Sequence, residues 1–265
     1  MEGRPTLSDR LLPGSVLPDS LLEVRLKHRV GGVSLDVAFC LTQPWTVLFG
    51  PSGSGKTTVL RAIAGFVRPD EARITCGPKG EILVDMQEGI FVPPHLRPVR
   101  SAAQTARLFP NMTVEQNVAY GVQWGSHPED EQQVLQEVME KMRLTTLARR
   151  KVDGLSGGER QRVSVARAVA AAIAYGGAGK PLLLLDEPFA GLDSVLRDEL
   201  VVLLRDWLRQ WKVPVLSVSH DAGECFLLDA QVIRIAEGQV VDQGPVEQVL
   251  AEERRRMLER LRMGR

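Results

Sequence analysis

The chain has 265 residues, and its 33 Lys plus Arg balance 33 Asp plus Glu to a formal net charge of zero, which excludes the basic excess expected of a nucleic-acid binder. Hydrophobic residues make up 44% and charged residues 25%, enough apolar material for one large α/β domain or two small ones. Cys40, Cys76 and Cys225 stand far apart without paired spacing, which excludes a CxxC metal site and a disulfide scaffold and leaves three small buried hydrophobes in a reducing cytosol.

Met1 to Ser20 carries Pro5, Pro13 and Pro18 and no long apolar core, so residues 1–20 are expected to form a flexible lead-in rather than a signal peptide. No stretch approaches the roughly 20 apolar residues that cross a bilayer, so work at a membrane would require another chain as anchor. From Leu21 to Phe39 the partial alternation predicts two antiparallel strands turning at Gly31-Gly32. Trp45 to Phe49 reads as a buried strand that runs into the glycine-rich stretch Gly50 to Gly55. A helix from Lys56 to about Ala64 follows, closed by Gly65.

Residues 72–100 read as short strands and turns, with a proline-rich connection at Pro93-Pro94 and Pro98. Thr113 to about Ala148 turns helical, with an interruption near Gly125 to Pro128. Another helix runs on from Ser156 through Val163, Ala166, Ala170 and Ile173, apolar at helical spacing. Leu182 to Leu185 and Val213 to Val218 read as buried strands, with a helix from Ser194 to Trp211 between them. Strands alternating with helices imply a largely parallel sheet with right-handed crossovers. Glu252 to Arg265 reads as a charged, arginine-rich helix, solvated and laced by pairs such as Glu252 with Arg256; contact with a partner or an anionic membrane surface is the other reading.

Gly50-Pro51-Ser52-Gly53-Ser54-Gly55-Lys56-Thr57 fits the phosphate-binding loop GxxxxGK[ST] at every fixed position. Its glycines let backbone N–H groups turn toward phosphate oxygens, and the helix N-terminus, which continues into Thr58, adds favourable partial charge. Lys56 supplies a point charge to the β- and γ-phosphates, and Thr57 offers its hydroxyl to Mg²⁺. The strand at Leu182 to Leu185 ends in Asp186 and Glu187. Asp186 suits a Mg²⁺ contact, direct or through water, and Glu187 suits the general base that polarises the attacking water.

These residues would serve any P-loop NTPase. Leu155-Ser156-Gly157-Gly158-Glu159-Arg160-Gln161 narrows the field. Taken on its own, Ser156 is a helix N-cap followed by two glycines that bare backbone N–H groups, an anion site. Together with the other motifs the stretch resembles the signature of ABC (ATP-binding cassette) ATPases, and the likeness runs from about Leu21 to Leu250 in the family's order.

The resemblance implies a P-loop NTPase core with a mainly parallel sheet, an N-terminal antiparallel β subdomain and an inserted α-helical subdomain over about 113–160. The cassette would span 21–250 and a charged C-terminal helix 251–265. It implies ATP and Mg²⁺ as ligands, with Gln104 as the Q-loop glutamine contacting Mg²⁺ or water, Asp193 in the D-loop, and His220 as the switch histidine contacting the γ-phosphate. His28, His95 and His127 read as surface residues. A second copy packs head to tail, so that Ser156, Gly157 and Gly158 contact the nucleotide held by Lys56 of the other copy.

Leu108-Phe109-Pro110-Asn111-Met112-Thr113-Val114, followed by Asn117-Val118, resembles importer subunits. The terse N-terminal hairpin and Gly89 to Pro94 are most similar to molybdate-type importers. The implied setting is the inner face of the cell membrane, beside permease subunits and, indirectly, a solute-binding protein. The family's extra C-terminal ligand-binding domain is not expected. The alternatives are a soluble ABC ATPase of DNA repair or the ribosome, and an exporter subunit.

Three departures from the family pattern stand out. Val30 replaces the aromatic residue on which adenine stacks, a contact of roughly 1–3 kcal/mol, so affinity is lower or another residue substitutes. Arg100 to Gln104 replaces an apolar strand and is expected to fray in an isolated subunit. Tyr175 to Lys180 is an expected surface insertion.

Overall fold

A computed structural model describes residues 20–120, 122, 128–175 and 179–263. The lead-in before Ser20, the expected break from Gly125 through His127, up to Pro128, and the middle of the Tyr175–Lys180 insertion lie outside the described residues. Strands β1 (Leu22–Val30) and β2 (Val33–Leu41) pair antiparallel in one continuous register from Leu22↔Leu41 to Val30↔Val33. Leu22, Val24 and Leu26 on one strand, with Leu35, Val37 and Phe39 on the other, are buried, so the period-2 alternation selects the core face. Strand β3 (Trp45–Phe49) and helix α1 (Lys56–Ala64) fall where the pattern places them.

Strands β4 (Glu71–Cys76), β5 (Glu81–Asp85) and β6 (Ile90–Phe91) continue the chain. Strand β7 (Val99–Ala102) corrects the expectation of fraying: four residues pair with the next parallel strand, from Val99↔Leu182 to Ala102↔Leu185. Val99 and Ala102 are buried in clusters on opposite sides of the sheet, while exposed Ser101 is tolerated on what is an edge strand.

Helices α2 (Val114–Ala119), α3 (Pro128–Lys141) and α4 (Gly157–Ile173) precede β8 (Leu182–Asp186). Then come α5 (Ser194–Gln210), β9 (Val215–Ser219), α6 (Ala222–Leu228), β10 (Gln231–Ala236), β11 (Gln239–Pro245), α7 (Val246–Val249) and α8 (Ala251–Met263). Strand β9 starts at Val215 rather than Val213, because Pro214 has no N–H to give and the Val213 N–H closes the preceding helix on Leu208 O at 3.1 Å. Sequence patterning had assigned nothing between Asp221 and Leu250, where α6, β10, β11 and α7 lie. Among the described residues no helix is long and apolar enough to cross a membrane.

The eleven strands among the described residues join one sheet in the order β6-β5-β4-β1-β2-β11-β10-β3-β9-β8-β7. The segment β10-β3-β9-β8-β7 is parallel throughout and β6-β5-β4-β1-β2 is antiparallel. The two meet at β11, which pairs antiparallel with β10 and touches β2 at the single position Gln239↔Asp36. Gly238 makes that junction possible. At φ +79° a Cβ there would stand 2.2 Å from Ser34 O, so only glycine lets its carbonyl accept the Asp36 N–H at 2.8 Å.

The parallel strands are covered on both faces, which is why Leu182 to Leu185 is an unbroken apolar run. Val47, Phe49, Leu183, Leu185 and Val215 pack with α2 to α5, whereas Leu48, Leu182, Leu184, Leu216 and Ile233 pack with α1 and the antiparallel strands. Each such side chain contributes about 1.5–3 kcal/mol by leaving water. Cys40, Cys76 and Cys225 are buried thiols, as expected. His95 is exposed, but His28 is folded down to 16% side-chain exposure, its Nδ1 3.1 Å from Asp70 Oδ2. Asp70, just ahead of the strand β4 that pairs with β1, is held there by the Arg29 N–H, a long-range partner that a surface reading of His28 omitted.

Arg97 is buried to 1% exposure and has no carboxylate partner among the described residues. Its Nη1 donates to Ala62 O at 2.9 Å and Ile63 O at 2.7 Å, and its Nε to Val92 O at 2.7 Å. A cation on the last carbonyls of α1 is favoured by the helix dipole, and burial pushes the guanidinium down to about 10. The far end of the helix that carries Lys56 is thereby anchored.

Candidate active site

Four parallel strands lie side by side in the order β3-β9-β8-β7. Their carboxyl ends share one edge, and in open α/β sheets that edge is where ligands bind. Each strand delivers one group of predicted residues there: Gly50 to Lys56 after β3, His220 after β9, Asp186 and Glu187 at the end of β8, and Gln104 just beyond β7.

The loop from Gly50 to Gly55 links β3 to α1, with Pro51, Ser52 and Gly53 exposed and Ser54 buried. Gly55 caps α1 at φ +97°, and a Cβ there would fall 2.1 Å from Leu35 Cδ2, so a side chain would be both strained and overlapping. Lys56 opens the helix and is 5% exposed. Its Nζ donates to Gly50 O at 2.8 Å and Pro51 O at 2.7 Å and stands 3.4 Å from Ser54 Oγ. The ammonium is thus fixed at the centre of the loop it serves. Burial lowers its pKa, opposed by the charges of Glu187 and Asp186. Thr57 and Thr58 follow in the first turn.

Thr57 Oγ1 donates to Asp186 Oδ1 at 3.1 Å. Asp186 is 6% exposed, and burial raises its pKa, with the Thr57 hydrogen bond pulling the other way and Glu187 adding to the rise. Glu187 leaves the strand at φ 47°, a left-handed conformation that costs a non-glycine residue about 1–3 kcal/mol. Two backbone bonds hold it: its N–H donates to Val218 O at 3.2 Å and its carbonyl accepts from Gln161 Nε2 at 3.3 Å. Both carboxylate oxygens are engaged, Oε2 by Gln104 Nε2 at 3.1 Å and Oε1 by His220 Nδ1 at 3.4 Å. Sheet order therefore brings Gln104, Glu187 and His220 together on one carboxylate.

Ser156 caps α4: its Oγ accepts from Glu159 N at 3.2 Å while Glu159 Oε2 accepts from Ser156 N at 2.7 Å, a reciprocal capping box. Gly157 is exposed, and Gly158 backs onto the loop before Asp193, where a Cβ would stand 3.0 Å from Gly191 O. Asp193 is exposed and caps α5 through Leu196 N at 3.0 Å. No hydrogen bond or ion pair among the described residues joins Ser156, Gly157, Gly158 or Asp193 to the phosphate loop.

Comparison with known families matches residues 35–190 to the family described as ABC transporter. The chain belongs to the ABC transporter family. The molybdenum import ATP-binding protein ModC of Mesorhizobium japonicum is 38% identical, over 86% of this chain and 59% of its own length; the chain thus spans about three fifths of that relative. The molybdate/tungstate import ATP-binding protein WtpC of Archaeoglobus fulgidus is 35% identical over 87% of this chain and 89% of its own. Among solved structures, cbiO1 of Clostridium perfringens shares the fold with a TM-score of 0.71, 24% identity, and coverage of 93% of this chain and 98% of that one.

In this ABC family member no group of three or more His, Cys, Asp and Glu side chains among the described residues stands ready to hold a metal. The site offers instead the Thr57 hydroxyl, the Asp186 carboxylate and the Gln104 amide, hard oxygens suited to Mg²⁺ shared with phosphate. Val30 is 42% exposed at the hairpin end. Sequence reasoning gave no role to Gln161, although it ends the quoted signature, nor to Arg197, whose Nη1 donates to Asp221 Oδ2 at 2.7 Å beside His220. Arg197 lies one helical turn beyond Asp193, but nothing local to it announced a partner 24 residues away.

Proposed function

We propose that this chain binds and hydrolyses ATP with Mg²⁺ as the motor subunit of an ABC importer. The observation that carries the hydrolytic reading is the meeting of Gln104, Glu187 and His220 on one carboxylate, beside Lys56, Thr57 and Asp186. Lys56 and the loop N–H groups bind the phosphates. Glu187 takes a proton from the attacking water, whose oxygen bonds to the γ-phosphorus as the bond to ADP breaks. His220 meets the γ-phosphate, and Gln104 aligns the water. Thr57, Asp186 and Gln104 would hold Mg²⁺, which neutralises charge on the transferred group.

Ser156, Gly157, Gly158 and Asp193 act on the nucleotide of a second copy packed head to tail, so each site is completed by its partner. The exposed positions of Ser156, Gly157 and Asp193 support this reading. The domain division we favour is a lead-in at 1–20, the cassette at 21–250 with its helical part about 113–160, and the charged helix at 251–265. Transmembrane permease subunits would hold the cassette at the inner face of the membrane, with a solute-binding protein acting through them and no nucleic acid involved. The relatives' names support molybdate or a related oxyanion as the solute.

Glu187→Gln tests the chemistry. The variant should bind ATP, shift to a dimer on size exclusion with MgATP, and hydrolyse at least ~10²-fold more slowly; normal hydrolysis would remove Glu187 from its role. Oxyanion-dependent uptake by vesicles carrying the cognate permease tests the solute, and stimulation by unrelated solutes instead would discard it.

A further inference from the structure

Beneath the switch histidine lies a carboxyl that none of these roles uses. Glu224, in the first turn of α6, is 5% exposed. Its Oε2 accepts a hydrogen bond from Ser219 Oγ at 3.0 Å, while its Oε1 is buried with no partner among the described residues. Ser219 is itself buried at the end of β9, and its Oγ also accepts the Asp221 N–H at 3.1 Å. Asp221 is secured in turn: Oδ1 accepts from Gly223 N at 2.7 Å and Glu224 N at 3.3 Å, and Oδ2 from Arg197 Nη1 at 2.7 Å. Both neighbours of His220 are therefore fixed by side-chain bonds, and on the β9 side that bond ends at Glu224.

The imidazole needs this support. The His220 side chain is 62% exposed, and it meets Glu187 Oε1 at 3.4 Å. An exposed ring keeps its aim through its backbone. Burying a carboxyl with one orphan oxygen is expensive, and a Leu or Met of similar volume would fill the space more cheaply. Burial, opposed by the Ser219 hydrogen bond and Arg197 and helped by Asp221 and Glu187, pushes the carboxyl up to about 7, which lessens the cost by keeping it largely neutral well below that pH.

We infer that Glu224 is a positioning residue for His220, acting through Ser219 to hold the backbone that aims the imidazole at Glu187. Its consequence for turnover rests on the ATPase reading above; the geometry does not.

Three variants test it: Glu224→Leu, Glu224→Gln, which keeps an oxygen able to accept from Ser219, and Ser219→Ala, which breaks the same link from the other end. Two readouts are taken, the His220 imidazole resonance by NMR in the nucleotide-free chain, and kcat and KM for MgATP. In Glu224→Leu and Ser219→Ala the resonance should shift or broaden, and kcat should fall roughly tenfold with KM held within about twofold. Glu224→Gln should restore both largely to wild type. Should Glu224→Leu fail to fold, Glu224→Ala takes its place, because Ser219→Ala also removes the acceptor of the Asp221 N–H; an unmoved resonance in Glu224→Ala overturns the inference. An unmoved His220 resonance in Ser219→Ala overturns the inference whatever the ATPase rate. A moved resonance in a chain that never hydrolyses ATP upholds the positioning and removes the proposed function instead.

Discussion

Thr57 Oγ1 donates a hydrogen bond to Asp186 Oδ1 at 3.1 Å, joining two motifs 129 residues apart in the chain. A hydroxyl and a carboxylate so close can share a single small cation. Asp186→Asn keeps the shape and removes the charge. Mg²⁺-dependent tightening of a fluorescent ATP analogue should fall roughly 10- to 100-fold, while binding measured with chelator stays near wild type. Equal loss in both conditions would place Asp186 in the fold rather than at the cation.

Lys56 presents a separation of function from stability. Its buried ammonium is disfavoured by desolvation, yet it is the charge that meets phosphate. Lys56→Met should weaken ATP binding about 10- to 100-fold, the effect of losing a charged hydrogen-bond donor. Its urea midpoint should stay level or rise. A large drop in midpoint would show that the bonds to Gly50 O and Pro51 O outweigh the burial cost.

Arg97→Met strips Ile63 O and Val92 O of their donor and leaves Ala62 O, at the end of α1, with the Gly65 N–H alone. Unsatisfied buried acceptors cost about 1–3 kcal/mol apiece before relaxation, so urea unfolding should show a loss of roughly 2–4 kcal/mol. A midpoint unchanged from wild type would mean that the helix end finds other donors.

The Glu224 carboxyl ties stability to pH. Its value is about 7 in the native chain against an ordinary 4.5, chiefly through burial. The native state therefore keeps a proton that the unfolded chain releases, so stability rises with acidity. The contribution is complete below about pH 4.5 and is lost as pH climbs to about 7, roughly 3 kcal/mol across the window. Urea midpoints taken at about pH 5 and about pH 8 should differ more in wild type than in Glu224→Gln. Identical slopes in the two proteins would refute the assignment.

Features that depend on neighbouring residues were legible in the sequence. The phosphate loop is a run of consecutive residues whose glycines shape their own backbone. Ser156 and Glu159 cap each other three residues apart. The first hairpin and the Lys56–Ala64 helix are stated by periods of two and of three to four. Covered strands such as Leu182 to Leu185 announce themselves by unbroken apolarity.

The tertiary structure alone decided who meets whom across long gaps. Glu187 is 83 residues from Gln104, and only the order β9-β8-β7 places His220, Glu187 and Gln104 on one edge. Arg97 chose carbonyls 34 and 35 residues back, where a lone arginine between prolines had signalled nothing. The polar β7 segment stays a strand because an edge position and two buried residues suffice to pair it. Backbone periodicity is written locally by side-chain sterics and apolarity, whereas strand order follows from how the two faces of the sheet are jointly covered, a property no single segment carries.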